Sequence, residues 1–201
     1  ESVTIPMVKD KEDERYCEIE ANKAMLALSL NGGGPVHINM YTKYSHDFSV
    51  SEIPHVNAIY RHTMLEKEWP FVPQDGRIII SVGAHAKFTE ELTNAVDAFC
   101  ATYDAVVCCD HTSGYNGKYE VHAQLVCGQK QWHSSLCDAN LCIHLGEVSG
   151  DQFCIRAKHT WRVSPDGALR DTFGTLRRVF MMPEVEFFKH YSKEGSTHTE
   201  Y

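Results

Sequence analysis

Arg77-Ile78-Ile79-Ile80-Ser81-Val82-Gly83-Ala84-His85 is an apolar run that stops at a glycine, and a helical pattern begins directly behind it. Residues 78–80 and Val82 form a continuous, mostly β-branched stretch rather than an alternating one. That is the pattern of a parallel strand whose two faces are both covered. Gly83 permits a sharp turn, and from Thr89 onward Phe88, Leu92, Ala95, Val96, Phe99 and Tyr103 recur at helical spacing. Glu90 and Glu91 fall in the first turn, where the helix dipole favours acids. Strand, turn and helix thus succeed one another within residues 77–103, the length of a βα unit.

Further strands follow downstream at Ala105–Asp110, Leu141–Gly146, His159–Val163 and Leu176–Met181. Pro183, suited to the first turn of a helix, precedes Val185, Phe187, Phe188 and Tyr191 at helical spacing, and Ser192–Tyr201 reads as a frayed tail. Ala58–His62 is a candidate edge strand, led to the central strand by turns at Pro70, Pro73 and Asp75-Gly76. Strands separated by helical stretches predict an α/β domain, a Rossmann-like three-layer fold with a parallel sheet of about six strands.

Upstream, Ser2–Ile5 reads as a short strand. Cys17, Ala21, Ala24, Met25 and Leu28 trace one helical face, and Asn31-Gly32-Gly33-Gly34-Pro35 stops that helix before a strand at Val36–Met40. One βαβ unit has too little buried face to stand alone. Residues 1–45 are therefore expected to be the remnant of an upstream domain, 46–194 the Rossmann-like domain, and 195–201 a disordered tail. The polar run Tyr41–Asp47 and Pro54 mark the boundary region.

The 201 residues carry a net charge of −8, and no cluster of Lys and Arg is visible, so nucleic acid is not an expected partner. No apolar stretch approaches the about 20 residues that cross a bilayer, and no charged-then-apolar leader opens the sequence. The expectation is a cytoplasmic protein without a membrane partner. Eight cysteines occur without a Cys-x-x-Cys pair, and Cys108-Cys109, Cys100 and Cys142 lie in apolar patterns. Reduced, buried thiols are expected rather than disulfides or zinc ligands.

Ligands of doubly wound sheets gather at the carboxyl ends of the strands. Three such ends carry Gly83 with His85, Asp110 with His111, and His144 with Gly146 and Glu147. The loop that follows Asp110 adds Ser113, Asn116 and Lys118, polar groups suited to an anionic or polar ligand. The candidate ligand-binding residues are Gly83, His85, His111, Ser113, Asn116, Gly146 and Glu147. Three histidines at one rim suit acid–base work or a metal, yet twelve histidines along the chain place some near loop starts by chance. No His-x-x-x-His pair or carboxylate trio supports a metal. Neither a dinucleotide Gly-x-Gly-x-x-Gly, nor a Gly-x-Ser-x-Gly elbow, nor a P-loop is present.

Leu30-Asn31-Gly32-Gly33-Gly34-Pro35-Val36-His37-Ile38-Asn39 resembles the Gly-Pro-Val-His-Ile/Leu-Asn signature that closes the pyrimidine-binding domain of thiamine-diphosphate-dependent decarboxylases and synthases. Residues 55–190 resemble the middle domain of that family. Within that family the chain resembles the menaquinone-pathway 2-succinyl-5-enolpyruvyl-6-hydroxy-3-cyclohexene-1-carboxylate synthase, which decarboxylates 2-oxoglutarate and adds the product to isochorismate, or a relative of it. The resemblance implies thiamine diphosphate and Mg²⁺ in the full-length enzyme, bound outside this chain. Its Gly-Asp-Gly motif is absent, since Asp166-Gly167 follows Pro165 and Gly150-Asp151 precedes Gln152. No catalytic or metal-binding residue carries over, so the implied role is a structural and subunit-contact domain without activity of its own. Its partners would be the flanking pyrimidine- and diphosphate-binding domains, in a homo-oligomer. The alternative is a nucleotide- or small-carboxylate-binding regulatory module, as relatives hold FAD or an ADP moiety in this domain.

Overall fold

The computed structural model describes residues 1–52, 55–123, 134–148 and 155–197. They form two compact units, Glu1–Tyr60 and Arg61–Tyr201.

In the first unit β1 (Ser2–Ile5) pairs in parallel with β2 (His37–Met40), and α1 (Lys11–Ala27) connects them. The Asp10 carboxylate caps α1 by accepting from the amides of Glu12 and Asp13. The helix ends in a short 3₁₀ turn, Leu30–Gly32, where Asn31, Gly32 and Gly33 all adopt positive φ. Beyond it, the Asn22 and Glu18 side chains of α1 bind the backbone of Asn57 and Ile59. Only Val3, Ala24 and Ile59 are buried among the hydrophobic residues described in this unit, and all four residues of β2 are exposed.

The second unit is built on a seven-stranded sheet, one strand more than the sequence pattern suggests. Its strands are β3 (Tyr60–Thr63), β4 (Ile78–Val82), β5 (Val106–Cys108), β6 (Glu120–Val121), β7 (Asp138–Leu145), β8 (Arg156–Val163) and β9 (Leu176–Met181), in the order β3-β9-β8-β7-β4-β5-β6. The additional strand is β6, only two residues long, so it carries no periodicity for a sequence reading to find. From β4 the chain winds outward through β5 and β6, then restarts on the other side of β4 and winds through β7, β8 and β9. All of these neighbours pair in parallel, which makes the sheet doubly wound. Every residue of β4 is buried, as its unbroken apolar run requires.

Two helices cover one face. The Thr89 side chain caps α2 (Glu90–Tyr103) by accepting from the Leu92 amide, and Asp104 ends the helix in the left-handed region. Leu92, Val96 and Phe99 of α2 pack with Phe187, Phe188 and Tyr191 of α3 (Glu184–Thr197) over Ile80, Val82, Ile143 and Leu145. Helix α3 runs into the stretch expected as a tail, and residues 198–201 lie outside the described residues. On the opposite face Ile79, Cys108 and Cys142 pack with Ile155, Ala123 and Phe173. The connection between β8 and β9, residues 164–175, contains no helix, so at that end of the sheet side chains of the loop replace one. Among the described residues no helix is long and apolar enough to cross a membrane.

Candidate functional site

The winding direction reverses between β4 and β7, and in such sheets the crevice at that point is the ordinary ligand site. Here the crevice is closed by the chain itself. The Gly83 amide donates to Leu145 O, and Ala84 and Glu147 exchange both amide-to-carbonyl hydrogen bonds at 2.9 Å, forming an isolated antiparallel bridge across the switch point. The loop after β5 is fastened to the same edge, with the His85 amide donating to Thr112 O and the Phe88 amide to Gly114 O. Ser113, 1% exposed, donates through Oγ to Val82 O at 2.6 Å and accepts from the Asp110 amide at 2.8 Å.

Gly83, His85, Ser113, Gly146 and Glu147 are therefore brought together at one rim. His111 and Asn116 stand exposed on the loop beside them. The Leu92 amide at the start of α2 is used by the Thr89 cap. Gly146, at φ +70°, allows the two connections to approach, because a Cβ there would lie 2.6 Å from Ala84 O. His85 donates from Nδ1 to Ala86 O at 2.6 Å and faces the Glu184 carboxylate with Nε2 at 2.9 Å. The hydrogen bond to Glu184 raises its pKa above the ordinary imidazole value, despite the opposing effect of burial. What this rim does chemically is hold three loops together. Among the described residues no three His, Cys, Asp or Glu side chains are placed to hold a metal ion.

A second polar group lies next to the rim, within the sheet. Ser81, His144 and Arg162 are register partners on β4, β7 and β8, on the face opposite α2 and α3, and all are buried. Arg162 Nη1 donates to His144 Nδ1 at 3.3 Å and to Gly146 O at 2.8 Å. Burial, with Arg162 and Arg170 nearby, drives the His144 pKa down to about 3, so the ring is neutral. Its Nδ1 accepts from the guanidinium, which leaves the proton on Nε2. Glu147 stands 3.5 Å from Arg162 Nη2 but 3.0 Å from Arg170 Nη1, which also binds Asp166 at 2.9 Å. The sequence reading marked His144 and passed over Arg162; the available signal was a charge set between the apolar Trp161 and Val163 of a strand pattern.

A cavity of about 690 Å³ opens away from this rim, near the start of β4 and beside β5 and β6, and is lined by Arg77, Tyr103, Val106, Cys108, Leu136 and Cys137 among others. Its wall includes Ala123 and Ser134, between which residues 124–133 lie outside the described residues.

Comparison with known proteins finds partial relatives. The 2-succinyl-5-enolpyruvyl-6-hydroxy-3-cyclohexene-1-carboxylate synthase of Bacteroides thetaiotaomicron is 39% identical over 62 residues. The chain resembles this synthase. The synthases of Bacteroides fragilis and Phocaeicola vulgatus match over the same length, at 39% and 37% identity. Each match takes in 30% of this chain and 11% of the synthase, so the likeness spans about a ninth of the relative's length. No family model matches the chain.

Proposed function

We propose that this chain supplies the Rossmann-like middle part of a thiamine-diphosphate-dependent enzyme resembling the 2-succinyl-5-enolpyruvyl-6-hydroxy-3-cyclohexene-1-carboxylate synthase. In this reading it is a structural and subunit-contact domain of a cytoplasmic homo-oligomer. Thiamine diphosphate and Mg²⁺ are held by flanking pyrimidine- and diphosphate-binding domains outside the chain. The resemblance to the synthase supports the family. The observation that carries the structural role is the closed switch point, because a ligand-binding crevice needs free backbone donors and here those of Gly83, Ala84 and His85 are bound within the protein.

Calorimetric titration of the chain with thiamine diphosphate and Mg²⁺ is expected to give no binding heat, and assay with 2-oxoglutarate and isochorismate no turnover. Micromolar cofactor affinity would overturn the proposal. Titration with FAD and ADP tests the regulatory alternative, and saturable binding of either would replace the structural reading. Light scattering tests the subunit contact, which a strictly monomeric chain at all concentrations would remove.

A further inference from the structure

Asn116 and Gly117 adjoin in the loop between β5 and β6, and an asparagine followed by glycine is the dipeptide most open to attack of the backbone on its own side chain. The reason is steric. Glycine has no Cβ to shield its amide nitrogen or to restrict the turn that brings this nitrogen to the asparagine Cγ. The fold requires glycine here, because a Cβ on residue 117 would collide with the Tyr115 hydroxyl and the Asp97 carboxylate. Tyr115 is buried and donates through its hydroxyl to Asp97 Oδ1 at 2.5 Å, and the Lys118 amide donates to the same oxygen at 3.3 Å. The loop is thus anchored on each side of the pair. Between the anchors Asn116 is exposed, and neither its side chain nor the Gly117 amide hydrogen-bonds to another of the described residues. Neither group has to leave such a partner before the two react.

We propose that Asn116 is a site of spontaneous deamidation. The Gly117 amide nitrogen gives its proton to solvent and attacks Asn116 Cγ. The new N–Cγ bond forms as the Cγ–Nδ2 bond breaks, and Nδ2 takes up a proton and leaves as ammonia. Water then opens the cyclic imide. Attack at Cγ restores the ordinary backbone with an aspartate, whereas attack at the main-chain carbonyl carbon routes the backbone through Cγ and leaves isoaspartate. Either product puts a new negative charge into a loop already held by Asp97. Isoaspartate also adds a methylene to the backbone between Tyr115 and Lys118, which are both bound to that carboxylate. Asn31-Gly32 is the other Asn-Gly pair of the chain. There the attacking nitrogen belongs to the 3₁₀ turn Leu30–Gly32, which has to unwind before the ring can close, so Asn116 reacts first. The inference rests on this loop and is independent of the synthase reading.

The full chain is held in mildly alkaline buffer made with ¹⁸O-labelled water, sampled over time, digested briefly with trypsin in ordinary water and read by mass spectrometry. The expected result is that the peptide Phe88–Lys118 loses ammonia, gains one labelled oxygen and separates into two products, with fragment ions placing the change at Asn116 and not at Asn94 of α2. Asn116→Gln, whose longer side chain closes the corresponding ring far more slowly, should lose the change while keeping the unfolding midpoint of the wild type. An unaltered peptide in the native chain, while the chain in denaturant deamidates, would show that the fold shields the pair and would overturn the proposal. Reaction at Asn31 ahead of Asn116, or a labelled Phe88–Lys118 peptide persisting in Asn116→Gln, would overturn it as well.

Discussion

At the scale of single residues, the rim depends on groups whose loss has a definite sign. His85 has a folded-state pKa raised by Glu184, so its ion pair stabilises the fold fully below the unfolded imidazole value and fades as pH rises through the folded one. NMR titration of the His85 ring is expected to show that raised midpoint. Glu184→Gln should bring it back toward the ordinary value and cost about 1 kcal/mol at acidic pH, with a smaller cost at alkaline pH. A titration unaffected by the substitution would remove the pair from the stability of the rim. Gly146→Ala has no comparable pH dependence. The new Cβ would meet Ala84 O at 2.6 Å in a backbone at φ +70°, and urea unfolding should register a loss of about 1–3 kcal/mol.

Elements depend on their ends and on their shared face. The only side-chain cap on α2 is Thr89, so Thr89→Ala is expected to lower stability by about 1 kcal/mol while Thr89→Asp retains it, measured by chemical denaturation. Packing between α2 and α3 is worth more. Phe188, 0% exposed, meets Phe99 edge to face at 5.4 Å, and Phe188→Ala should cost about 3–5 kcal/mol through the cavity left between the helices. The starts and the packing faces of both helices were legible in the sequence, since Glu90 and Pro183 are local signals and the apolar spacing is periodic. The short connection between β8 and β9 was less so. A helix was expected between parallel strands, yet residues 164–175 cross with loop structure alone, and Asp166, Gly167 and Gly174 in that stretch are turn residues.

For the whole molecule, burial is unevenly shared. The first unit buries three hydrophobic side chains among its described residues, whereas the second has continuous cores on both faces of its sheet. Amide hydrogen exchange should be fast in β1 and β2 and slowest in β4 and β7; equal protection in both units would contradict this. Cys100, Cys108, Cys109, Cys137 and Cys142 are buried thiols outside any disulfide, and burial pushes the Cys109 thiol up to about 12. A thiol reagent at neutral pH is therefore expected to leave these five unmodified in native protein and to modify all eight in denaturant. Equal counts in the two conditions would refute their burial.

Local pattern alone determined the parallel sheet, because a strand buried on both faces must be apolar throughout, and Ile78–Val82 is apolar at every position but Ser81. It also determined that Gly83, Gly146 and the loop after Asp110 meet at one edge, since carboxyl ends of parallel strands lie together. Tertiary structure decided what that edge does. Whether the amides of Ala84 and His85 face a ligand or the carbonyls of Glu147 and Thr112 depends on how closely three loops distant in sequence approach, and no local propensity encodes that separation. The same holds for Arg162, which reads as an ordinary strand charge until register sets it beside His144 and Ser81 on a covered face, where burial turns a solvated cation into one that needs a counter-charge.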